Sequence, residues 1–263
     1  MSIGICADVR LNKIERSLTM HVVPTVTATC GTDIANNITY FVSPLFPALS
    51  RDAAVCSVKI QKVDPSVSQL RLDFIHFNLG QPNRRTGVCD SDVFIMSGPA
   101  TEQLKLCGQN SGQHVYYDVE NVKDPVSIVM NLTDNNLFRM WEIKITQIEF
   151  SERAPAGCRQ YYQGNSGIIQ TMNFAVNGRH LADQDYTICM RQEEGMCSIA
   201  YEPCDENSFK IGPPVLSGEN GVSMLKLRCR YFVLVTKMNG APTQMLGQEM
   251  VQWETAETVM TRL

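Results

Sequence analysis

The sequence predicts an all-β protein with little helix, arranged as two consecutive β-sandwich units. Three observations carry that reading. Short apolar-alternating segments recur at roughly 8 to 12 residue spacing between Gly, Pro, Asn and Asp clusters, the rhythm of sandwich and barrel strands. Between residues 30 and 150 no window of about 11 or more residues keeps the 3.6-residue period of an amphipathic helix. Finally, the 263-residue length is that of two domains at roughly 100 to 200 residues each, and Ala154-Pro-Ala-Gly157 supplies a boundary between them.

Residues 1–29 show no sustained periodicity and end in His21-Val-Val-Pro-Thr-Val-Thr-Ala-Thr, the composition of an extended, poorly ordered linker. Asn37 to Pro47 reads as an edge or turn-bounded strand, since the Ser-Pro and Phe-Pro steps hold the preceding residues out of helical backbone. Val58-Lys-Ile60 alternates. In the next strand Leu70, Leu72 and Phe74 share one face while Ile75, Phe77 and Leu79 fall on the other. That strand is therefore central, and either covered on both sides or bulged near Phe74. Gly80 to Gly87 is a solvated loop, Val93–Met96 a short strand bounded by Ser97-Gly-Pro99. Alternating strands follow at 114–119, 126–130 and 140–148, the last with the stripe Trp141, Ile143, Ile145. Beyond the boundary, strands are expected at 167–174, 186–190, 197–201, 208–211 and 224–235, before the pattern decays into a polar tail over 248–263.

The ten cysteines, at 6, 30, 56, 89, 107, 158, 189, 197, 204 and 229, include no Cys-x2-4-Cys pairs matched by paired His or Cys, which argues against zinc. An oxidised, extracellular or lumenal chain stapled by disulfides fits them better. Two sequons, Asn37-Ile-Thr39 and Asn131-Leu-Thr133, mark Asn37 and Asn131 as candidate glycosylation sites. The first residues lack the basic start and apolar run of a signal peptide, so secretion implies a start upstream, another export route, or a different compartment. The first of these is favoured. No run approaches about 18 apolar residues, so no membrane span is expected. A net charge of -4 gives no basic face for nucleic acid.

The order Cys30-Gly31, Ser43-Pro-Leu-Phe-Pro47, Cys56, the strand ending at Leu79, Cys89-x-x-Asp92-x-Phe94 and Leu106-Cys107-Gly108 resembles a CUB domain over about residues 30–150. The second half, with Cys158-Arg-Gln-Tyr-Tyr-x-Gly164 and Asp185-Tyr-Thr-Ile-Cys189-Met-Arg-Gln-Glu193, is similar to the companion domain of invertebrate secreted tandem-CUB proteins. The resemblance implies two jelly-roll sandwiches, a CUB domain at 30–152 and a divergent CUB-like repeat at 158–247. It also implies disulfides Cys30–Cys56 and Cys89–Cys107, with Cys158–Cys189 by analogy. In the second half Phe232 stands where the Asp of Cys-x-x-Asp is expected and no later cysteine follows, so the last 25 or so residues are expected to be poorly ordered or the chain truncated.

Many CUB domains hold calcium with one Glu and two Asp at one loop end. On that pattern Asp92 and Asp134 are the candidate calcium ligands, while the Glu expected in the Leu79-Gly80-Gln81 loop is missing. Calcium takes about six to eight oxygens, so the loss removes both charge and denticity, and no cofactor is required by the reading. No zincin, nucleophile-elbow or phosphate-loop motif occurs, and Gly164-Asn-Ser-Gly167 reads as a glycine turn. Glu193-Glu194, Asp183 and Asp185 read as solvated, and Trp141 and Tyr116-Tyr117 as core and strand surface. No catalytic residue is therefore expected. The expectation is a non-catalytic extracellular module binding protein or glycan partners through its loops. The alternative is the accessory CUB region of a larger secreted protease whose catalytic domain lies outside this chain.

Overall fold

The structure, a computed structural model, describes residues 26–98, 101–194, 198–204, 209–210, 243–244 and 248–256. Every regular element among them is a strand. In chain order these are β1 (Thr27–Ala28), β2 (Asp33–Ile34), β3 (Ile38–Val42), β4 (Val55–Ile60), β5 (Val67–Asn78), β6 (Asp92–Gly98), β7 (Thr101–Leu106), β8 (His114–Asp118), β9 (Val126–Leu132) and β10 (Met140–Glu149). The second half supplies β11 (Cys158–Tyr162), β12 (Ser166–Gln170), β13 (Thr187–Met190), β14 (Ser198–Pro203), β15 (Phe209–Lys210), β16 (Thr243–Gln244) and β17 (Gln248–Ala256).

Two five-stranded sheets, ordered β1-β3-β10-β5-β8 and β2-β4-β9-β6-β7, form a sandwich. Period-two alternation decides which side chains meet between them. On β10, Trp141, Ile143 and Ile145 point inward and are buried, and on β9 Ile128 and Met130 answer them from the other sheet. Phe74, Phe77 and Phe94 meet at ring centroids 4.8, 5.7 and 6.0 Å apart, in the tilted and edge-on geometries that aromatic quadrupoles favour.

The face switch along β5 is a bulge. β10 pairs Glu142 with His76 and Ile143 with Phe74, so Ile75 is the extra residue and is 44% exposed. The bulge returns Phe77 and Leu79 to the face already used by Leu70, Leu72 and Phe74, and all five are buried.

The second half forms a sheet β11-β13-β16 and a sheet β12-β17-β14, with β15 on β17. It packs against the first sandwich. Ala154 N–H donates to Gln69 Oε1 at 2.9 Å, Gly157 N–H to Asp118 Oδ2 at 2.9 Å, and Met172 joins the main core with Leu181 and Tyr186 against it.

Several elements differ from the sequence expectation. Thr27 and Ala28, assigned to the linker, pair in parallel with Tyr40 and Phe41, because a short extended piece can complete a sheet edge without any periodicity of its own. β7 falls between Pro99 and the strand at 114–119, where no strand was expected. The strand expected over 167–174 stops at Gln170, and Asn173 turns the chain at φ 61°. Residues 248–256, read as tail, form β17 between β12 and β14. Its polar residues masked a period-two series, Val251, Trp253, Thr255. Residues 1–25, the expected strand 224–235, and Cys6, Cys197 and Cys229 lie outside the described residues.

Candidate functional site: the loop end of the first sandwich

Strand direction gathers four connections at one end of the sandwich. β3 and β5 finish there, β6 and β10 start there, and the chain between β7 and β8 crosses the same end. Two disulfides brace the sandwich, Cys30–Cys56 joining the β1–β2 turn to β4 and Cys89–Cys107 joining the loop before β6 to the end of β7. A third, Cys158–Cys189, joins β11 to β13.

At the centre of this end lies an ion pair with no solvent exposure on either side chain, Arg139 with Asp92. Arg139 Nε donates to Asp92 Oδ2 at 2.7 Å and Nη2 to Oδ1 at 2.7 Å, the forked geometry in which guanidinium and carboxylate fit best. Gly80 N–H donates a further bond to Oδ2 at 2.8 Å. The remaining Arg139 donors go to backbone carbonyls: Nη1 to Arg51 O at 2.9 Å and Leu137 O at 3.3 Å, and Nη2 to Asp134 O. The backbone of Arg139 is itself pinned by reciprocal bonds with Ser50, at 2.8 and 2.9 Å. Such a pair is costly to break, because removing one partner strands a charge in the interior.

The two candidate calcium ligands therefore stand at the same end but not as a free carboxylate pair. Both oxygens of Asp92 are engaged by Arg139. Asp134 turns its Oδ1 to Asn136 N–H at 2.8 Å and offers the site its backbone carbonyl. Gln81, in the loop where a Glu was expected, faces elsewhere. It forms a reciprocal amide pair with Asn173, Nε2 to Oδ1 at 3.3 Å and Asn173 Nδ2 to Gln81 Oε1 at 2.9 Å. Among the described residues, no group of three or more His, Cys, Asp and Glu gathers in metal-binding geometry. The side chains at this end thus do not fit a divalent cation: the space in front of Asp92 is filled by the guanidinium. Sequence reasoning missed Arg139, whose only signal was one charged residue beside the Trp141 stripe.

Part of the loop end is covered by the second half. Asn173, buried completely, takes Gln109 N–H on its Oδ1 at 2.8 Å and gives its own N–H to Asn110 Oδ1 at 2.7 Å. Gln113 Nε2 reaches Thr171 O at 2.9 Å, and Arg179 Nη1 reaches Pro82 O at 2.7 Å. Lower on the same seam, His114 Nε2 lies 3.1 Å from Tyr161 O and 3.2 Å from Tyr161 N. Burial, and next the Arg71 cation, lower the His114 pKa. Burial also pushes the neighbouring Tyr162 hydroxyl up to about 12.

The uncovered part presents Leu45, Leu49 and Phe138 to solvent, 53, 48 and 49% exposed, with the Arg51 guanidinium 3.8 Å from the Phe138 ring centroid. Asn37 is exposed just before β3, and Asn131 is half-buried on β9. Glu193 is tied to Arg191 and to Gly164 N–H, which hold its carboxyl below the usual range.

The architecture is thus an all-β, disulfide-stapled sandwich whose described residues contain no helix long and apolar enough to cross a membrane. A family model for the animal CUB domain matches residues 155–252, so a CUB domain is found in the half that the sequence marked as divergent. No curated protein matches the chain. Similar solved structures include the calcium-bound CUB2 domain of MASP-1, at 15% identity over 44% of this chain and 98% of that one, TM-score 0.37. Others are the CUB1-EGF-CUB2 domains of rat MASP-1, at 12% over 86% and 95%, TM-score 0.37, and the full extracellular region of zebrafish Gpr126/Adgrg6, at 12% over 89% and 34%, TM-score 0.39.

Proposed function

We propose that this chain is a non-catalytic, secreted interaction module that engages a protein or glycan partner through the loop end of its first sandwich, a CUB-like domain over 30–152 followed by a CUB-like unit over 158–247. CUB domains are extracellular interaction modules, and one is found here at 155–252. The observation that carries the reading is the exposure of Leu45, Leu49 and Phe138 at this end, with Arg51 stacked on the Phe138 ring and Arg139 bracing the connection beneath. Aromatic and arginine side chains are the types enriched where proteins meet, and a preformed surface loses little entropy on binding. In the same reading Asn37 and Asn131 carry N-glycans.

The test is a binding screen of the secreted chain against extracellular proteins and a glycan array, repeated with Phe138→Ser and Leu49→Ser. Loss of at least about tenfold in affinity in the variants is expected if these side chains anchor the contact. A partner bound equally well by both variants sinks the loop-end assignment, and turnover in a hydrolase panel sinks the non-catalytic one.

A further inference from the structure

We infer that Arg139 is a built-in cation: its guanidinium takes the place that a divalent metal would take at this loop end, so that the loops are held without calcium. The oxygens converging here are those a hard cation would choose, one carboxylate and the backbone carbonyls of Arg51, Leu137 and Asp134. Guanidinium has five N–H donors, and the contacts of Arg139 number five: two to the carboxylate and three to the carbonyls. Asp92 accepts three bonds here, Oδ2 from Arg139 Nε and Gly80 N–H and Oδ1 from Arg139 Nη2, so both of its oxygens are engaged by donors of the chain itself. A Cβ on Gly80 would lie 3.1 Å from Asp92 Oδ2 and 2.7 Å from Leu137 Cδ1, so a side chain here would push Leu137 aside and crowd the carboxylate.

The loop position from which a third ligand would come has been given another task. Gln81 pairs with Asn173, so the loop holds the second half in place through an amide pair. A tethered guanidinium does not dissociate, stays charged at any pH the fold survives, and is set on its partner by the Ser50 pairing. The loop end is therefore indifferent to the calcium level around it, whereas a metal-held loop would loosen when calcium fell.

The experiment is a thermal melt of the full chain in EDTA and in about 5 mM calcium, together with calorimetric titration of calcium and with the variant Arg139→Ala. A site of millimolar affinity would raise Tm by about 2 to 4 °C under those conditions. The expected result is no shift and no saturable heat for the unmodified chain, and a fall in Tm of about 6 °C or more for Arg139→Ala, which leaves the Asp92 charge buried alone. Saturable calcium binding to the unmodified chain that Asp92→Asn removes would overturn the inference. So would an Arg139→Ala chain as stable as the original. If that variant is not secreted, the titration of the unmodified chain still decides.

Discussion

Asn173 Oδ1 lies 2.0 Å from the point that a Cβ on Gly108 would occupy, so these two residues, far apart in the chain, fit only because one of them has no side chain. Gly108 also sits at φ 80°, in the left-handed region where glycine alone is unstrained. Gly108→Ala should therefore cost about 3 kcal/mol or more, from backbone strain plus the loss of hydrogen bonds around Asn173. Denaturant unfolding measures it. In a double-mutant cycle Asn173→Gly, which suits the positive φ, should relieve part of the Gly108→Ala penalty. Strict additivity would mean the two residues are not coupled.

The seam between the halves should weaken in acid. His114 has its pKa lowered by burial and by Arg71, with Asp73 and the Tyr161 carbonyl pulling the other way and Tyr116 and Tyr162 packed edge-on against the ring. A histidine depressed in the folded state contributes its full stability above the unfolded pKa of about 6.5 and loses it as pH falls toward the folded value. Unfolding free energy should therefore drop as pH is lowered from about 7 through 6 and below. His114→Gln should flatten that part of the profile, and an unchanged slope would point to another group.

How much of this could be read in the sequence depends on how far apart the cooperating residues lie. The change of face in β5 was legible because Leu70, Leu72, Phe74 and Phe77, Leu79 break step within a single segment, though periodicity alone left open a bulge or cover on both sides, and the pairing with β10 decides for the bulge. The Trp141, Ile143, Ile145 stripe was legible for the same reason. Arg139 was not, because a lone arginine next to a strand looks solvated until its partner is known, and Asp92 stands 47 positions away. Asn173 was read into a strand since Thr171-Met-Asn-Phe174 continues an apolar run. Only contact with Gly108 and Asn110 explains the turn. β17 escapes a local reading because what makes it a strand is its pairing with β12 and β14, both distant in the chain.

The Cys89–Cys107 bridge closes a separation of 18 residues around β6, whose first residue is Asp92. In the chain-entropy view a loop of this size is worth about 3 kcal/mol. Replacing both cysteines by serine should lower stability by about that amount. It should also raise hydrogen exchange in the Gly80 to Ser91 loop ahead of the rest of the sandwich, since that loop is fastened by the disulfide at one end and by the Gly80–Asp92 bond at the other. Uniform acceleration of exchange across both sheets would show that the bridge acts on the whole fold rather than on this loop.

The bulge at Ile75 predicts a difference between removing a side chain and removing a residue. Ile75 is 44% exposed, so Ile75→Ala should cost no more than about 1 kcal/mol. Deleting Ile75 instead restores strict alternation and moves Phe77 and Leu79 to the face away from the core, because a one-residue slip reverses every side chain beyond it. Phe77 is wholly buried and stacks with Phe74 and Phe94, and a phenylalanine lost from such a position costs about 3 to 5 kcal/mol by itself. The slip would also draw Gly80 away from Asp92, leaving the carboxylate one donor short. The deletion should thus abolish secretion or cooperative melting while Ile75→Ala retains both. A deletion variant that melts like the original would mean that the strand end is free to re-register, and that the packing of Phe77 does not set the position of the loop end.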